Sequence, residues 1–307
     1  MSPVHRHSTE HYETIGRADA PDWLAKRNAG IGSSDMAAVL DASPFKSAWG
    51  LYMEKTGQTD PEDLSDVERI QWGRRLELPI IKGYEARTGR RAIEAGYLLR
   101  SKRYPWALCT LDAWTIRCEG APYTPLEAKN IHFMAGEAWA DGSPEYYRIQ
   151  GHQQLLVTGA DVVTVAALVG GQQLIWQDVE RDEQLIERII EGGESFWSRV
   201  EQRDPPPIAE TEAARRDLAR AYPKDDGEVL DLDEELGAEI ARLLELKAQQ
   251  KDLKAEARAA ENRIKAAMGS ATEGTVAGMK VTWKAHERAG YRVAPATVRQ
   301  LRITTTT

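Results

Sequence analysis

Apolar residues recur at helical spacing in some stretches of the chain and form short runs in others. Leu185, Ile186, Ile189 and Ile190, for example, have the i, i+1, i+4, i+5 spacing of one helix face. Short apolar runs bounded by glycine or proline indicate strands instead. The pattern predicts helices over residues 36–40, 48–56, 67–88, 144–158 and 182–202, and strands near residues 95–99, 106–111, 113–117, 126–130, 162–169 and 173–179.

The C-terminal part of the chain has a different pattern. Residues 231–268 are rich in Ala, Glu, Lys and Leu and contain no proline. Two seven-residue repeats run through them, one at Leu236, Leu243, Gln250, Ala257 and Ile264, and the other at Leu246, Leu253, Ala260 and Ala267. Such repeats are typical of a coiled coil. We predict a long helix that packs within the chain or pairs with a partner, the first being favoured.

These patterns divide the chain into successive parts. Residues 1–20 are polar and are predicted to be a flexible arm, and residues 21–204 form the main domain. Residues 205–230 begin with three prolines and form a linker. Residues 231–307 hold the long helix, or coiled coil, and a small β element near residues 275–283.

Composition places the chain among soluble globular proteins. Hydrophobic residues make up 42% and charged residues 29% of the 307 residues. No apolar run reaches the roughly 18 residues that a membrane span needs, so no membrane contact is expected. Residues 1–13 lack the apolar core of a signal peptide, and two cysteines, Cys109 and Cys118, are too few for a disulfide framework. We therefore expect a cytoplasmic protein.

Charge is unevenly distributed along the chain. The net charge is −8, but residues 208–307 hold 17 acidic and 17 basic side chains, so the excess arises in the first 207 residues. Within that acidic part, residues 87–103 carry six basic side chains against one acid, Glu94. A local basic face is compatible with binding to DNA phosphates, and a solvated charge run is an equal alternative.

Asp112, Glu127 and Lys129 are the main candidates for catalysis. The turn at residues 119–122 allows the strand after Asp112 to form a hairpin with the strand that holds Glu127. Residues i and i+2 share one strand face, so Glu127 and Lys129 point together. Carboxylates suit Mg²⁺, which activates water for phosphodiester cleavage, and the lysine can orient that water or neutralise transition-state charge. A surface salt bridge is the alternative.

Further polar side chains suggest contacts with a phosphate or a polar helix surface. Arg27 and the loop at residues 30–35, which ends in Ser33, Ser34 and Asp35, form a candidate anion site at a helix start. Simple helix capping is the alternative. Tyr147 and Gln150 lie about one turn apart on one helix face, where they can hold a DNA backbone or orient the lysine, or simply be exposed polar residues.

Taken together and in this order, the motifs resemble those of the phage-type YqaJ recombinase exonucleases, relatives of lambda exonuclease in the PD-(D/E)XK nuclease superfamily. The resemblance covers roughly residues 20–200. The matching motifs are Trp23-x-x-x-Arg27, Gly30-Ile31-Gly32-Ser33-Ser34-Asp35, Trp72-Gly73-x-x-x-Glu77, Thr110-Leu111-Asp112, Leu126-Glu127-Ala128-Lys129, Tyr146-Tyr147-Arg148-Ile149-Gln150 and Thr158-Gly159. One departure is Leu111, which stands where the superfamily name has a proline.

The resemblance implies an α/β fold whose central mixed sheet is flanked by helices, followed by an α-helical, coiled-coil-like C-terminal extension. It implies Mg²⁺, with Mn²⁺ as a possible substitute. The implied metal ligands are Asp112, Glu127, Glu77 and the carbonyl of Ala128; the other implied catalytic residues are Lys129 and Gln150; and the implied contacts to DNA or its 5′-phosphate are Arg27, Ser33, Ser34 and Tyr147. Asp35 is expected to cap or orient.

The implied activity is digestion of linear double-stranded DNA, from 5′ to 3′, which exposes single strand for a single-strand annealing recombinase. A homo-oligomer, with a ring trimer as one form, and a phage or prophage protein in the bacterial cytoplasm are further implications. Two alternatives stay open from the residues themselves. One is an endonuclease of the same fold, and the other is a non-catalytic DNA-binding or scaffold protein.

Overall fold

A computed structural model describes residues 10–17, 20–136, 139, 142–287, 290 and 303. It divides into two compact units, Met1–Ala221 and Tyr222–Thr307. The strands of the first unit are β1 (Tyr12–Arg17), β2 (Ile31–Gly32), β3 (Ala92–Glu94), β4 (Tyr97–Ser101), β5 (Ala107–Thr110), β6 (Ala113–Ile116), β7 (Tyr123–Ile131), β8 (Val162–Val169) and β9 (Gln173–Glu180). Its helices are α1 (Trp23–Asn28), α2 (Met36–Val39), α3 (Ala48–Lys55), α4 (Glu68–Thr88), α5 (Glu145–Thr158), α6 (Glu183–Gln202) and α7 (Glu212–Ala221).

Two mixed sheets form the centre of the first unit. The five-stranded sheet has the order β3-β6-β7-β8-β9, and the four-stranded sheet has the order β1-β4-β5-β2. The β7–β8 and β2–β5 pairs are parallel, and the other pairs are antiparallel. A parallel pair needs a crossover, and α5 supplies the one between β7 and β8. This crossover places α5 over the sheet that carries Glu127 and Lys129.

Helices cover the five-stranded sheet on both faces. On one face Ile80, Ile81 and Tyr84 of α4 form a buried cluster with Leu126 and Ala128 of β7. On the other face α5 contributes residues such as Ile149 and Leu155, which are fully buried in the largest core cluster. Each strand therefore buries apolar side chains against a helix layer. The predicted α/β fold with a mixed central sheet flanked by helices is confirmed.

Two predicted boundaries differ from the structure. The N-terminal arm was expected to be flexible, yet β1 lies within it and pairs antiparallel with β4, from Tyr12 opposite Ser101 to Arg17 opposite Tyr97. The predicted linker over residues 205–230 contains α7, whose residues Ala213, Ala214 and Asp217 are buried. Both segments are stabilised by partners distant in sequence, which local patterns do not reveal.

The second unit contains a long helix, α8 (Glu234–Met268), and a hairpin of β10 (Glu273–Val276) and β11 (Met279–Thr282). The predicted helical C-terminal extension is therefore present. No residue of α8 is buried, and Leu246 and Leu253 of its seven-residue repeat are 43% and 65% exposed. The second unit itself therefore does not bury this helix, and its packing, within the chain or with a partner, stays a prediction.

Two composition-based expectations can be compared with the described residues. None of the helices found there is long and apolar enough to cross a membrane. Both cysteines are free thiols: Cys109 is buried and Cys118 is exposed. The expectation that the two cysteines do not form a disulfide framework therefore agrees with the structure.

Candidate active site

The β6–β7 hairpin places Asp112 beside Glu127. The antiparallel register pairs Ala113 with Leu126, so the preceding and following residues, Asp112 and Glu127, come next to each other. The backbone pairing between β6 and β7 ends at Ala113 and Leu126. Beyond it, the Ala128 N–H donates a 2.7 Å hydrogen bond to the Asp112 carboxylate instead of to a strand carbonyl. Because the N–H and C=O of one strand residue point to the same edge, the Ala128 carbonyl also faces the Asp112 side.

Alternation along β7 separates its apolar and polar side chains. Leu126 and Ala128 lie in the buried cluster under α4, whereas Glu127 and Lys129 lie on the face covered by α5. The Lys129 ammonium donates a 2.6 Å hydrogen bond to Glu127 Oε1. It also lies 4.9 Å from the centre of the Tyr147 ring, at cation–π distance. The structure thus brings the predicted Glu127, Lys129 and Tyr147 together.

Helix α5 supplies two further hydrogen bonds to Glu127. The Gln150 amide donates to Oε1 over 2.6 Å, and the Gln154 amide donates to Oε2 over 2.5 Å. With Lys129, three donors surround a carboxylate that has about four acceptor positions, so Glu127 keeps one for a further partner. Gln154 was not predicted, although its i+4 spacing from Gln150 places it on the same helix face.

Negative charge accumulates at this site. Burial raises the pKa of Asp112 well above its usual value, and the nearby Glu127 and Glu77 raise it further. Burial and Glu127 also raise the pKa of Glu77. Burial alone would lower the pKa of Lys129, but Glu127 and Asp112 outweigh it and raise that pKa. Lys129 is therefore held protonated among carboxylates that favour an additional cation.

The donor set fits a hard divalent cation with few protein ligands. In the part of the chain that the structure describes, no three His, Cys, Asp or Glu side chains are gathered at metal-binding spacing. Asp112, Glu127 and the Ala128 carbonyl instead provide oxygen atoms around one open strand edge. Mg²⁺ is commonly held by one or two carboxylates together with water and substrate phosphate, which matches this set. Glu77 influences the site electrostatically without completing a three-carboxylate cluster.

The predicted anion site is built around Arg27 at the end of α1. Its guanidinium donates to Ser34 Oγ and to both carboxylate oxygens of Asp35, each over 3.0 Å. Ser34 is exposed, whereas Ser33 is 4% exposed, so Ser34 is the better placed of the two hydroxyls. A Cβ atom on Gly32 would lie 3.2 Å from the Asp35 carboxylate, which is a tight contact.

Asp35 does not act as a helix cap. It precedes α2, but its side chain makes no capping hydrogen bond, and α2 has only four residues. Of the two roles expected for Asp35, capping or orienting, the structure shows the second, because the carboxylate binds Arg27 and thereby orients it. The anion site therefore depends on side chains rather than on the N-terminus of a long helix.

Helix α5 links the anion site to the catalytic residues. The Gln153 amide donates to the carbonyls of Ile31 and Leu108 over 2.6 and 2.9 Å, and Ile31 directly precedes the Gly32–Asp35 segment. Gln153 adjoins Gln154, which binds Glu127. One helix therefore anchors both sites, and Gln153 was another residue that we did not predict to matter.

Several other residues of the first unit have structural roles. Trp106 and Trp114 are 7% and 9% exposed and pack in the largest core cluster. His152 is fully buried between the Arg148 carbonyl and the Asp182 N–H. The basic run at residues 87–103 is partly neutralised and divided between the two sheets, because Arg90 pairs with Asp178 of β9 and Arg100 pairs with Glu13 of β1.

The α/β domain thus carries an acidic, lysine-containing strand edge and an anion site around Arg27, and α5 contacts both. Residues 22–161 match the model of the YqaJ-like viral recombinase domain. The chain is also similar to the uncharacterized protein YqaJ of Bacillus subtilis (strain 168), with 29% identity over 268 residues, 86% of this chain and 82% of YqaJ. The resemblance inferred from the motifs is therefore confirmed for residues 22–161.

Solved structures similar to this chain include two exonucleases. LHK-Exo, an alkaline exonuclease from Laribacter hongkongensis, is 18% identical, with 66% of this chain and 100% of that chain covered and a TM-score of 0.47. Its complex with dAMP gives 19% identity, the same coverage and a TM-score of 0.49. A phage-related exonuclease from Haemophilus somnus 129PT is 14% identical over 57% of this chain and 94% of that chain, with a TM-score of 0.40.

Proposed function

We propose that this chain is a metal-dependent deoxyribonuclease that digests linear double-stranded DNA from an end, from 5′ to 3′. The observation that carries the proposal is the convergence of Asp112, Glu127 and Lys129 at the open edge of β7. It lies in the region that matches the model of the YqaJ-like viral recombinase domain, so DNA is the expected substrate. Exposed single strand would then be passed to an annealing recombinase.

Asp112, Glu127 and the Ala128 carbonyl would hold the cation, with Glu77 acting through water. Mg²⁺ is the expected ion and Mn²⁺ a substitute, because both accept oxygen ligands. When bound, such an ion polarises the phosphodiester and supplies a nucleophilic water at neutral pH. The buried position of Glu127, which is 6% exposed, keeps competing water away from this carboxylate.

Lys129 acts as a fixed positive charge in this proposal. The carboxylates around it keep its pKa raised, so it remains protonated and is unsuited to be a general base. A protonated lysine can donate a hydrogen bond to the attacking water or to the developing charge on phosphate. Gln150, Gln154 and Tyr147 hold Glu127 and Lys129 in place, and are positioning residues.

Arg27 and Ser34 would bind a terminal phosphate of the DNA. The Arg27 side chain is 27% exposed, and its planar guanidinium is suited to phosphate oxygens. Since α5 anchors both this pocket and Glu127, binding of an end at Arg27 would set the distance to the scissile bond. This arrangement supports digestion from an end over internal cleavage.

The test is digestion of a linear duplex with a 5′-phosphate, in Mg²⁺, next to a covalently closed circle of the same sequence and a Lys129→Ala variant. We expect loss of the linear DNA alone and no digestion by the variant. Cleavage of the circle would favour an endonuclease of the same fold. Absence of cleavage with both Mg²⁺ and Mn²⁺ would favour a non-catalytic DNA-binding protein.

Label position distinguishes the polarity. A duplex labelled at the 5′ end should release labelled mononucleotide at once, whereas a 3′ label should stay in long single strands. Release in the opposite order would contradict the 5′-to-3′ proposal. The homo-oligomer, with a ring trimer as one form, and the annealing partner stay predictions, as does action in the host cytoplasm.

A further inference from the structure

A buried lysine lies next to the anion site formed by Arg27, Ser34 and Asp35, which is called the Arg27 pocket below. Lys55, the last residue of α3, has a side chain that is only 2% exposed. Its ammonium donates a 3.0 Å hydrogen bond to the Arg27 carbonyl and lies 3.7 Å from Asp35 Oδ2. Lysine is rarely buried without a paired charge, so its place next to Arg27 and Asp35 needs an explanation.

The charges around Lys55 do not cancel. Asp35 forms ion pairs with both Arg27 and Lys55, and one carboxylate can neutralise only one of them. The acid next in sequence, Glu54, is engaged by Lys46 and by another arginine on α7. The pocket therefore keeps one positive charge in surroundings of low exposure, and such a site favours an anion.

The excess charge changes what Arg27 can do. Without Lys55, Arg27 and Asp35 would form a neutral pair that offers hydrogen bonds but little net attraction to a phosphate. With Lys55 the pocket is net positive, while Ser34 and the edge of the guanidinium remain accessible. Lys55 thus provides the excess positive charge, and the Arg27 guanidinium provides the hydrogen-bond donors that face the phosphate.

We propose that Lys55 is a positioning residue of the Arg27 pocket, and that its charge makes the pocket prefer a 5′-phosphoryl DNA end over a 5′-hydroxyl end. The inference rests on the proposed function, in which Arg27 and Ser34 receive the terminal phosphate. What it adds is a residue, Lys55, that the sequence motifs do not contain.

The proposal has a pH signature. Burial lowers the pKa of Lys55 to about 8; Asp35 and, more weakly, Glu54 oppose this, and Arg27 and Lys46 add to the lowering. These are the charged groups that face it. A lysine carries its charge below its pKa and loses it above. A phosphate monoester is already doubly charged above about pH 6, so a change near pH 8 is attributable to the lysine.

Binding without cleavage tests this directly. The probe is a DNA hairpin with one duplex end, a fluorophore in its loop and either a 5′-phosphate or a 5′-hydroxyl. Anisotropy in EDTA gives the ratio of the two dissociation constants for wild type, Lys55→Met, Lys55→Arg and the control Lys82→Met. Lys82 is 60% exposed and pairs with Glu85 on its own helix.

We expect wild type and Lys82→Met to bind the phosphorylated end about tenfold more tightly near pH 7, and to lose this preference above about pH 9. Lys55→Met should show little preference at either pH, with unchanged binding of the hydroxyl end. Lys55→Arg should keep its preference at high pH, because arginine stays charged.

A wild-type preference that is flat from about pH 7 to about pH 9.5, or equal preference in Lys55→Met and Lys82→Met, would overturn the proposal. The wild-type profile alone gives this answer if a variant does not fold. Because the measurement needs no metal and no cleavage, failure of the nuclease assay with intact end preference would reject the proposed function and leave this inference standing.

Discussion

Replacement of Lys129 by methionine removes one partner of a buried ion pair. The Lys129 ammonium lies 2.6 Å from Glu127 Oε1, and the two side chains are 19% and 8% exposed. Methionine has similar volume, so the main effect is a buried Glu127 left with only amide donors. Such a loss costs about 3–5 kcal/mol. In a domain of this size each kcal/mol lowers the Tm by about 2–4 °C, so we expect a fall of about 6–20 °C.

Thermal and urea unfolding in EDTA measure this effect. The control Lys82→Met breaks an exposed pair and should change stability by less than about 1 kcal/mol. Glu127→Gln combined with Lys129→Met should be about 1–3 kcal/mol more stable than additivity of the single variants predicts, because the residues are in contact. A free energy of unfolding of Lys129→Met within about 1 kcal/mol of wild type, or additive effects of the two substitutions, would refute a stabilising Glu127–Lys129 pair.

Three further predictions concern a donor, a helix contact and the second unit. Gln154→Leu should slow DNA digestion about 10- to 100-fold at unchanged fold, measured by initial rates and circular dichroism, since it removes a hydrogen bond to the charged Glu127; an unchanged rate would contradict this. Gly50→Ala should destabilise the protein by about 1–3 kcal/mol in urea, because the new methyl group would overlap the Asp217 carboxylate; a stabilised variant would contradict it. A chain ending at Ala221 should keep its Tm within about 2 °C in calorimetry, since the residues up to Ala221 form a compact unit with its own core; a larger fall would contradict that.

Strong local patterns predicted the regular elements well. Helix α6 begins after Asp182, whose carboxylate caps it through Gln184 and Leu185, and its apolar spacing gave its length in advance. Strand β1 and helix α7 were missed because long-range partners hold them. Asp217 of α7, for example, accepts hydrogen bonds from Ser47, 170 residues away, and no local pattern contains that pairing.

The candidate site was predictable to the extent that it follows strand geometry. Alternation along β7 placed Glu127 and Lys129 on one face, and the hairpin brought Asp112 beside them. Gln154 and Lys55 were missed for different reasons. Gln154 is one of several glutamines on α5, and only the structure shows which of them reach Glu127. Lys55 ends a helix, where a basic residue is ordinary, and its contacts with Arg27 of α1 and with Asp35 before α2 appear only in the folded chain.

The most direct test of the central claim compares wild type with Asp112→Asn on linear duplex DNA, with Mg²⁺ and with EDTA. Asparagine keeps an acceptor for the Ala128 N–H but removes the negative charge that a metal ion needs. We predict digestion only by wild type with Mg²⁺, and a rate about 100-fold or more lower for the folded variant. Digestion in EDTA, or equal rates for the two proteins, would contradict a metal-dependent nuclease centred on Asp112 and Glu127.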